Sequence, residues 1–191
     1  MQKKIYEIDD GINFGKWPDE ISKFLYFDST KEILSKIDIP KLIADYGGAN
    51  GNLKTFIPNS ISIDIDKSKK PDILDNILTH EGKYDLIIIR YVLHYLNDYE
   101  IISLFNQINK FHKGKVLIIQ FCNDDLISKY KNSQNEFKYF RTYSQLKSLI
   151  PYAREIYSKK YIVSPNFYLN RLKIKNAIKH TEILKAFIYD N

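Results

Sequence analysis

The apolar residues of this chain fall into short runs that are separated by polar, turn-forming segments. Such runs are typical of strands that a parallel sheet buries on both faces. Strands are therefore predicted over residues 42–46, 61–65, 85–90 and 116–121, with a brief one over 73–77. Only residues 67–71 separate the second strand from the third, which is too short for a crossover helix. We therefore expect a vestigial third strand or a sheet that is shortened there.

Helices are predicted where a capping side chain precedes apolar residues at helical spacing. Asn97 is followed by acidic residues and by an apolar stripe that ends at Phe111. Thr142 precedes a helix that reaches Ile150 and is closed by Pro151. Two shorter helices are also predicted, one capped by Ser29 or Thr30 that runs to Lys36 and is ended by Pro40, and one over residues 52–57.

The order of these elements predicts the fold class. Residues 155–163 and 183–189 are β-like runs with no helix between them, which predicts an antiparallel pair at one side of the sheet. The fold class is therefore α/β, Rossmann-like, with a mostly parallel central sheet, helices on both faces and a C-terminal antiparallel strand pair. We expect a single domain over residues 1–191, in which 1–39 form an N-terminal helical lid or substrate segment and 40–191 the core.

Composition narrows the classes of function. The net charge of +6 leaves room for an acidic partner such as nucleic acid, but the lysines are scattered, so this partner is not favoured. The single cysteine, Cys122, excludes an internal disulfide and a multi-cysteine metal site, and we expect it to be a buried thiol. The four histidines form no zinc-type cluster, and no metal is expected. No run resembles a membrane helix or a signal segment, so we expect a cytoplasmic protein without a membrane partner.

A glycine-rich turn directly after the first strand carries the candidate chemistry. Gly47, Gly48 and Gly51 allow backbone amides to approach a ligand closely. Asp45, at the start of this turn, is suited to accept hydrogen bonds from an ammonium group or from the loop amides. Asp64 ends the second strand, where a carboxylate is suited to bind both hydroxyls of a ribose. The pattern predicts a nucleotide-type ligand, whereas a phosphate-binding P-loop pattern is absent from the sequence.

At this point the chain resembles the class I S-adenosylmethionine-dependent methyltransferases of the small-molecule type. The first motif of that family is an acid followed by Gly-x-Gly-x-Gly, which Asp45, Gly47, Ala49 and Gly51 match with alanine at the middle glycine. The second acid falls on Asp64. Residues 84–96 resemble the fourth motif, residues 116–121 the fifth strand, and residues 140–146 the start of the helix before the sixth strand. The resemblance covers residues 42–189.

The resemblance implies S-adenosyl-L-methionine as the cofactor and gives roles to the residues around it. The cofactor is expected to contact the turn and its neighbours, with Asp75 or Asn76 at the adenine, namely Asp45, Gly47, Gly48, Ala49, Gly51, Asp64, Ile65, Asp75, Asn76, Arg90 and Tyr91. His94 is the candidate general base or acceptor-binding group, the alternative being that it only packs near the cofactor. Aromatic residues are expected to line the acceptor, namely Trp17, Tyr26, Phe27, Tyr95, Phe167 and Tyr168.

The predicted function is methyl transfer to a small-molecule acceptor. An RNA or protein methyltransferase is the first alternative, which the positive charge favours mildly, although residues 84–96 lack the Asn/Asp-Pro-Pro-Tyr form typical of base methylation. A catalytically inactive, cofactor-binding partner subunit is the second. The sequence identifies neither the acceptor nor the oligomeric state.

Overall fold

The computed structural model describes residues 29–123, 139, 141–163 and 180–191. Seven strands in this part of the chain form one sheet in the order β3-β2-β1-β4-β5-β7-β6. The strands are β1 (Ile43–Tyr46), β2 (Ile61–Asp64), β3 (Ile73–Leu74), β4 (Leu86–Arg90), β5 (Lys115–Asn123), β6 (Arg154–Val163) and β7 (His180–Asp190). The helices are α1 (Ser29–Leu34), α2 (Asp98–Phe111) and α3 (Tyr143–Leu149).

The predicted fold class is confirmed. Strands β1 to β5 pair in parallel, whereas β7 runs antiparallel to both β5 and β6. The central strand β4 is buried on both faces, as its continuous apolar run predicts, with Leu86, Ile87, Ile88 and Ile89 all inaccessible to solvent. Strand β7 lies between β5 and β6, so the C-terminal pair extends the sheet on one side.

Helices cover both faces of the sheet. On one face, α2 and α3 bury the predicted apolar stripe, and Ile101, Leu104 and Leu146 pack against the strands. On the other face, α1 and the segment after β1 contribute Ile33 and Leu53. The two longer helices begin at capping boxes, in which a side chain and a backbone N–H of the first turn bond reciprocally. Both N-caps, Asn97 and Thr142, lie where the sequence predicts them.

Two short helices differ from the prediction. Helix α1 ends at Leu34 and not at Lys36, because its last turn tightens into bonds from Lys36 to Ile33 and from Ile37 to Leu34, and Pro40 lies well beyond its end. The segment predicted as a helix over residues 52–57 is a 3-10 turn, Asn52–Thr55. Pro58 lies three residues after the end of this turn and disfavours helical backbone at Ile57, so one turn is all that fits.

The link between β2 and β3 is short because β3 is vestigial. Strand β3 pairs through two residues only, at the carboxyl end of β2, so the chain needs little length to return. The short link is held by Asp72. Its carboxylate accepts hydrogen bonds from the amide and the hydroxyl of Ser62, both at 2.8 Å, and pairs with Lys54 Nζ at 2.6 Å. These contacts fix the last strand of the sheet beside β2.

Candidate functional site

The glycine turn leaves β1 at the carboxyl edge of the parallel strands. Gly47 and Gly51 have φ angles of 69° and 70°, in the left-handed region that side chains disfavour. A Cβ atom on Gly47 would lie 2.5 Å from Cγ2 of Val92, which belongs to the segment after β4. Close packing of these two loops therefore requires glycine at position 47.

Asp64 holds the turn in place. Its Oδ2 accepts a hydrogen bond from the amide of Ala49 at 2.9 Å, and its Oδ1 accepts one from the amide of Asp66 at 2.9 Å. The amides of Gly47 and Gly48 bond instead to the carbonyl oxygen of Ile63, at 2.8 and 3.3 Å. The amide of Ile65 also acts on this carboxylate, which has about four acceptor positions in all, so Asp64 retains one for a further donor.

Asp45 is a buried carboxylate at the base of the turn. It is 1% exposed, and its Oδ2 has no hydrogen-bond partner within the described part of the chain. Gly48 lies directly against it, since a Cβ atom there would be 2.9 Å from Oδ2. Burial raises the pKa of Asp45 to about 6; the positive charge of Arg90 opposes this shift and the negative charge of Asp64 adds to it. The site therefore contains a carboxylate that a bound cation would stabilise.

The backbone is strained at one position in the glycine turn and at one position directly after β4. Ala49 and Tyr91 have φ angles of 45° and 58°, although both carry side chains. Tyr91 is held by its amide, which bonds to the carbonyl oxygen of Ile119 at 2.9 Å, and by its ring, which stacks on Phe121 with centroids 5.0 Å apart. Strained residues of this kind concentrate at functional sites.

The turn that follows Val92 contains His94. The amide of Tyr95 bonds to the carbonyl oxygen of Val92 at 2.9 Å, and the rings of Tyr95 and His94 are 4.1 Å apart. His94 is buried, and its Nδ1 lies 3.1 Å from Nε2 of Gln120 on β5. Because Val92 packs against Gly47, the candidate catalytic residue lies in the same loop that contacts the glycine turn.

Arg141 fixes this loop from the opposite side. The side chain is 8% exposed, and all five of its N–H groups are used. They donate to the carbonyl oxygens of Leu93, Leu96 and Tyr139, each at 2.8 Å, and twice to Oδ1 of Asp98, at 2.9 and 2.6 Å. The guanidinium therefore joins the His94 loop, the start of α2 and the segment before α3.

Comparison with solved structures identifies the fold. The YcgJ protein from Bacillus subtilis matches with a TM-score of 0.59 at 12% identity, over 82% of this chain and 94% of that one. A SAM-dependent methyltransferase from Archaeoglobus fulgidus matches with a TM-score of 0.58 at 11% identity, over 84% and 91%. Magnesium protoporphyrin IX methyltransferase from Synechocystis, with bound SAH, matches with a TM-score of 0.51 at 16% identity, over 84% of this chain and 80% of that one. The chain has the class I methyltransferase fold. By sequence, no protein-family model and no curated protein matches it.

Within this methyltransferase fold, Asp75 and Asn76 follow β3 beside Asp64, and the amide of Asp75 bonds to the carbonyl oxygen of Asp64 at 3.0 Å. The Oδ2 of Asp75 pairs with Nδ1 of His80 at 2.8 Å, and this hydrogen bond lowers the pKa of Asp75. The His80 Nε2 lies 2.9 Å from the hydroxyl of Tyr84. The Oδ1 of Asn76 accepts a bond from the amide of Leu78, at 3.0 Å.

The structure thus brings the predicted cofactor residues to one edge of the sheet. Ile65 directly follows Asp64 there, and Arg90 ends β4 beside β1. Of the residues predicted to line the acceptor, Tyr95 lies in this loop region. The others lie outside the described residues, namely Trp17, Tyr26, Phe27, Phe167 and Tyr168.

Sequence reasoning missed Gln120, Arg141 and His80. A polar residue inside the apolar run of β5 was a signal for Gln120, because buried polar side chains need a partner. The sequence spacing of Arg141 and His80 gives no comparable signal, because their hydrogen-bond partners are determined by how separate loops pack in the folded chain. Cys122 is confirmed as a buried thiol, and burial raises its pKa to about 12.

The opposite edge of the methyltransferase fold carries a separate cavity of about 650 Å³, between α1 and the ends of α2, β5 and β7. None of the predicted site residues lines it. Among the described residues, no group of His, Cys, Asp or Glu side chains is arranged to hold a metal ion. None of the helices in that part of the chain has the length and apolarity needed to span a membrane.

Proposed function

We propose that this protein binds S-adenosyl-L-methionine at the carboxyl edge of β1, β2 and β4 and transfers its methyl group to a small-molecule acceptor. The observation that carries the proposal is the buried Oδ2 of Asp45, which has no hydrogen-bond partner among the described residues and lies beside a glycine turn in a methyltransferase fold. When bound, this cofactor supplies a methyl group on a positively charged sulfur. Its methionine part also carries an ammonium group, which would compensate the buried carboxylate.

The other parts of the cofactor fit the remaining polar groups of this edge. The remaining acceptor position of the Asp64 carboxylate suits a ribose hydroxyl. Asp75 suits the adenine amino group better than Asn76 does. Its ionised form, which the hydrogen bond from His80 favours, has two acceptor oxygens that keep a position each beside the bonds from Asn76 and His80, whereas Asn76 has one acceptor oxygen, already bonded to the Leu78 amide. The strained backbone at Ala49 and Tyr91 presents the two loops that face the methionine part.

The choice of a small-molecule acceptor is supported by the residue pattern after β4 and by the descriptions of some similar structures. One of these is described as magnesium protoporphyrin IX methyltransferase and another as phosphoethanolamine N-methyltransferase 2 from Haemonchus contortus, at 16% and 14% identity. Methyl transfer requires the protein to hold the acceptor in line with the reacting methyl group and to exclude water.

Calorimetry tests cofactor binding directly. S-adenosylhomocysteine and 5′-methylthioadenosine share adenosine and sulfur, but only the first carries the ammonium and carboxylate of the amino acid. We expect both to bind, with the first tighter by roughly 10- to 100-fold, which corresponds to about 1.4–2.7 kcal/mol. Absence of binding by folded protein would contradict the proposal. Equal affinities for the two compounds would show that Asp45 does not bind the ammonium group.

Turnover separates the three functional readings. Transfer of a labelled methyl group is measured across panels of small phenols, amines, thiols and carboxylic acids, with total RNA and denatured protein as parallel acceptors. Product in a small-molecule panel supports the proposal. Product only in RNA, with an affinity that falls steeply as salt rises, would replace it with the first alternative. Tight cofactor binding with no product in any panel would favour the inactive partner subunit.

A further inference from the structure

Gln120 is a polar side chain inside the buried strand β5. It is 3% exposed, and its amide lies between the backbone of Leu93 and the ring of His94. Its Oε1 accepts a hydrogen bond from the amide of Leu93 at 3.2 Å, and its Nε2 lies 3.1 Å from Nδ1 of His94. The same nitrogen is 3.4 Å from the carbonyl oxygen of Phe121.

The backbone decides which way this amide points. The N–H of Leu93 can only donate, so the atom of Gln120 that faces it must be the oxygen. A rotated amide would place its NH2 group against that N–H and its oxygen against the carbonyl of Phe121. The nitrogen, which only donates, therefore faces the His94 ring.

The orientation of the amide in turn selects the tautomer of His94. Nδ1 must accept the hydrogen bond from Gln120, so it carries a lone pair, and the hydrogen of the neutral ring resides on Nε2. A hydrogen on Nδ1 would face the amide hydrogens of Gln120 at a nitrogen–nitrogen distance of 3.1 Å, in a region that excludes water. The Nε2 edge of the ring is consequently a donor.

We infer that Gln120 is a positioning residue that holds His94 in the Nε2–H form, so that His94 binds the methyl acceptor as a hydrogen-bond donor and not as a general base. The part that concerns the acceptor rests on the proposed function, whereas the tautomer does not. The acceptor molecule then presents to His94 an oxygen or nitrogen with a lone pair, such as a carbonyl, carboxylate or other anionic oxygen. It does not transfer its proton to this histidine.

The isosteric change Gln120→Glu tests the assignment of the tautomer. A carboxylate accepts only, so it keeps the bond from Leu93 but requires a hydrogen on Nδ1 of His94. Long-range nitrogen–hydrogen NMR spectra of the imidazole rings distinguish the two forms, and His94→Gln assigns the signals. We expect the hydrogen on Nε2 in the parent protein and on Nδ1 in the variant.

The parent spectrum alone can overturn the inference, even if the glutamate variant fails to fold. A hydrogen on Nδ1 in the parent would do so, and so would an unchanged tautomer in a folded Gln120→Glu protein. Far-ultraviolet circular dichroism and the melting temperature establish whether the variant is folded. None of these measurements depends on cofactor binding or turnover. The tautomer can therefore be confirmed or refuted even if the proposed function is wrong.

Activity separates the donor role from the base role once the acceptor panels have yielded a substrate. Glutamine at position 94 can place an N–H group near the site of Nε2, whereas leucine cannot. If His94 donates, we expect His94→Gln to keep activity within about tenfold of the parent and His94→Leu to lose more. If His94 is a general base, both variants lose a factor on the order of 10²–10⁴, and the donor role is wrong.

Discussion

Replacement of Asp45 by asparagine is expected to stabilise the free protein and to weaken cofactor binding. The carboxylate is buried without a partner for its Oδ2 in the described residues, so ionisation at neutral pH opposes folding. Asparagine has nearly the same shape and no charge. The two effects have opposite signs, because the charge that burdens the free protein is the charge that a bound ammonium group would neutralise.

The pKa of Asp45 sets the magnitude. Burial raises it from 3.8 to about 6. The difference of about 2 pH units corresponds to about 3 kcal/mol at pH values above both pKa values. The buried amide of asparagine still lacks a partner, so we expect a gain of about 1–3 kcal/mol at pH 7.5. Each kcal/mol corresponds to a rise in Tm of roughly 2–4 °C for a chain of this size.

The sign of the pH dependence follows from a raised pKa in the folded state. As pH falls through about 6, folded Asp45 takes up a proton before the unfolded chain does, so the parent protein regains stability. The advantage of Asp45→Asn therefore shrinks below pH 6 and disappears near 3.8. Urea denaturation of both proteins at pH 7.5 and pH 5 measures this difference, and Asp38→Asn, at an exposed position, is the matched control.

Binding supplies the second half of the test. Loss of a charged hydrogen bond is worth roughly 1.5–3 kcal/mol, so the variant should bind S-adenosylhomocysteine at least about 10-fold more weakly. Its affinity for 5′-methylthioadenosine, which lacks the ammonium group, should change by less than about threefold. Two results would refute the reasoning: lower stability of Asp45→Asn at pH 7.5, or equal losses of affinity for the two ligands.

Three further changes probe the loops around the site. Gly47→Ala should lower the free energy of unfolding by about 2–4 kcal/mol, from the φ angle and the clash with Val92, and Val92→Ala in the same chain should recover part of it in a double-mutant cycle. Ala49→Gly relieves the strained φ and should raise the free energy of unfolding by up to about 1 kcal/mol; a loss would show that the strain is not costly. Arg141→Lys retains the charge but cannot reach all the acceptors, so urea denaturation should show a loss of roughly 2–4 kcal/mol, and an unchanged midpoint would contradict the bonding described for this residue.

Much of the fold is predictable because its signals are local. A buried strand such as β4 is recognised from its own apolar residues, and the N-cap at Asn97 bonds to a residue three positions away. The segment after Gly51 is predicted as a short helix over residues 52–57 but forms a shorter 3-10 turn, because the apolar spacing of one turn does not distinguish the kinds of helix. The short link to β3 was interpreted correctly, since its length alone excludes a crossover helix.

The candidate site is predictable to a smaller extent. Asp45 and Asp64 follow from their positions at strand ends, since parallel strands bring such ends to one edge. The choice between Asp75 and Asn76 depends on His80 and Leu78, whose contacts no spacing rule describes. Whether His94 donates or accepts depends on Gln120, which lies 26 residues further along the chain.

The sequence by itself determined the class of fold, the position of the glycine turn and the two acids at the ends of β1 and β2. Periodicity and turn chemistry are interactions between near neighbours, so they can be interpreted from the sequence alone. The tertiary structure decided which groups these residues meet: that the Asp45 carboxylate is buried against Gly48, that Asp64 secures the turn, and that Arg141 closes the His94 loop from 48 residues away. Such contacts depend on how whole helices and strands pack, and a pattern along the sequence does not say which distant residues meet across a packing interface.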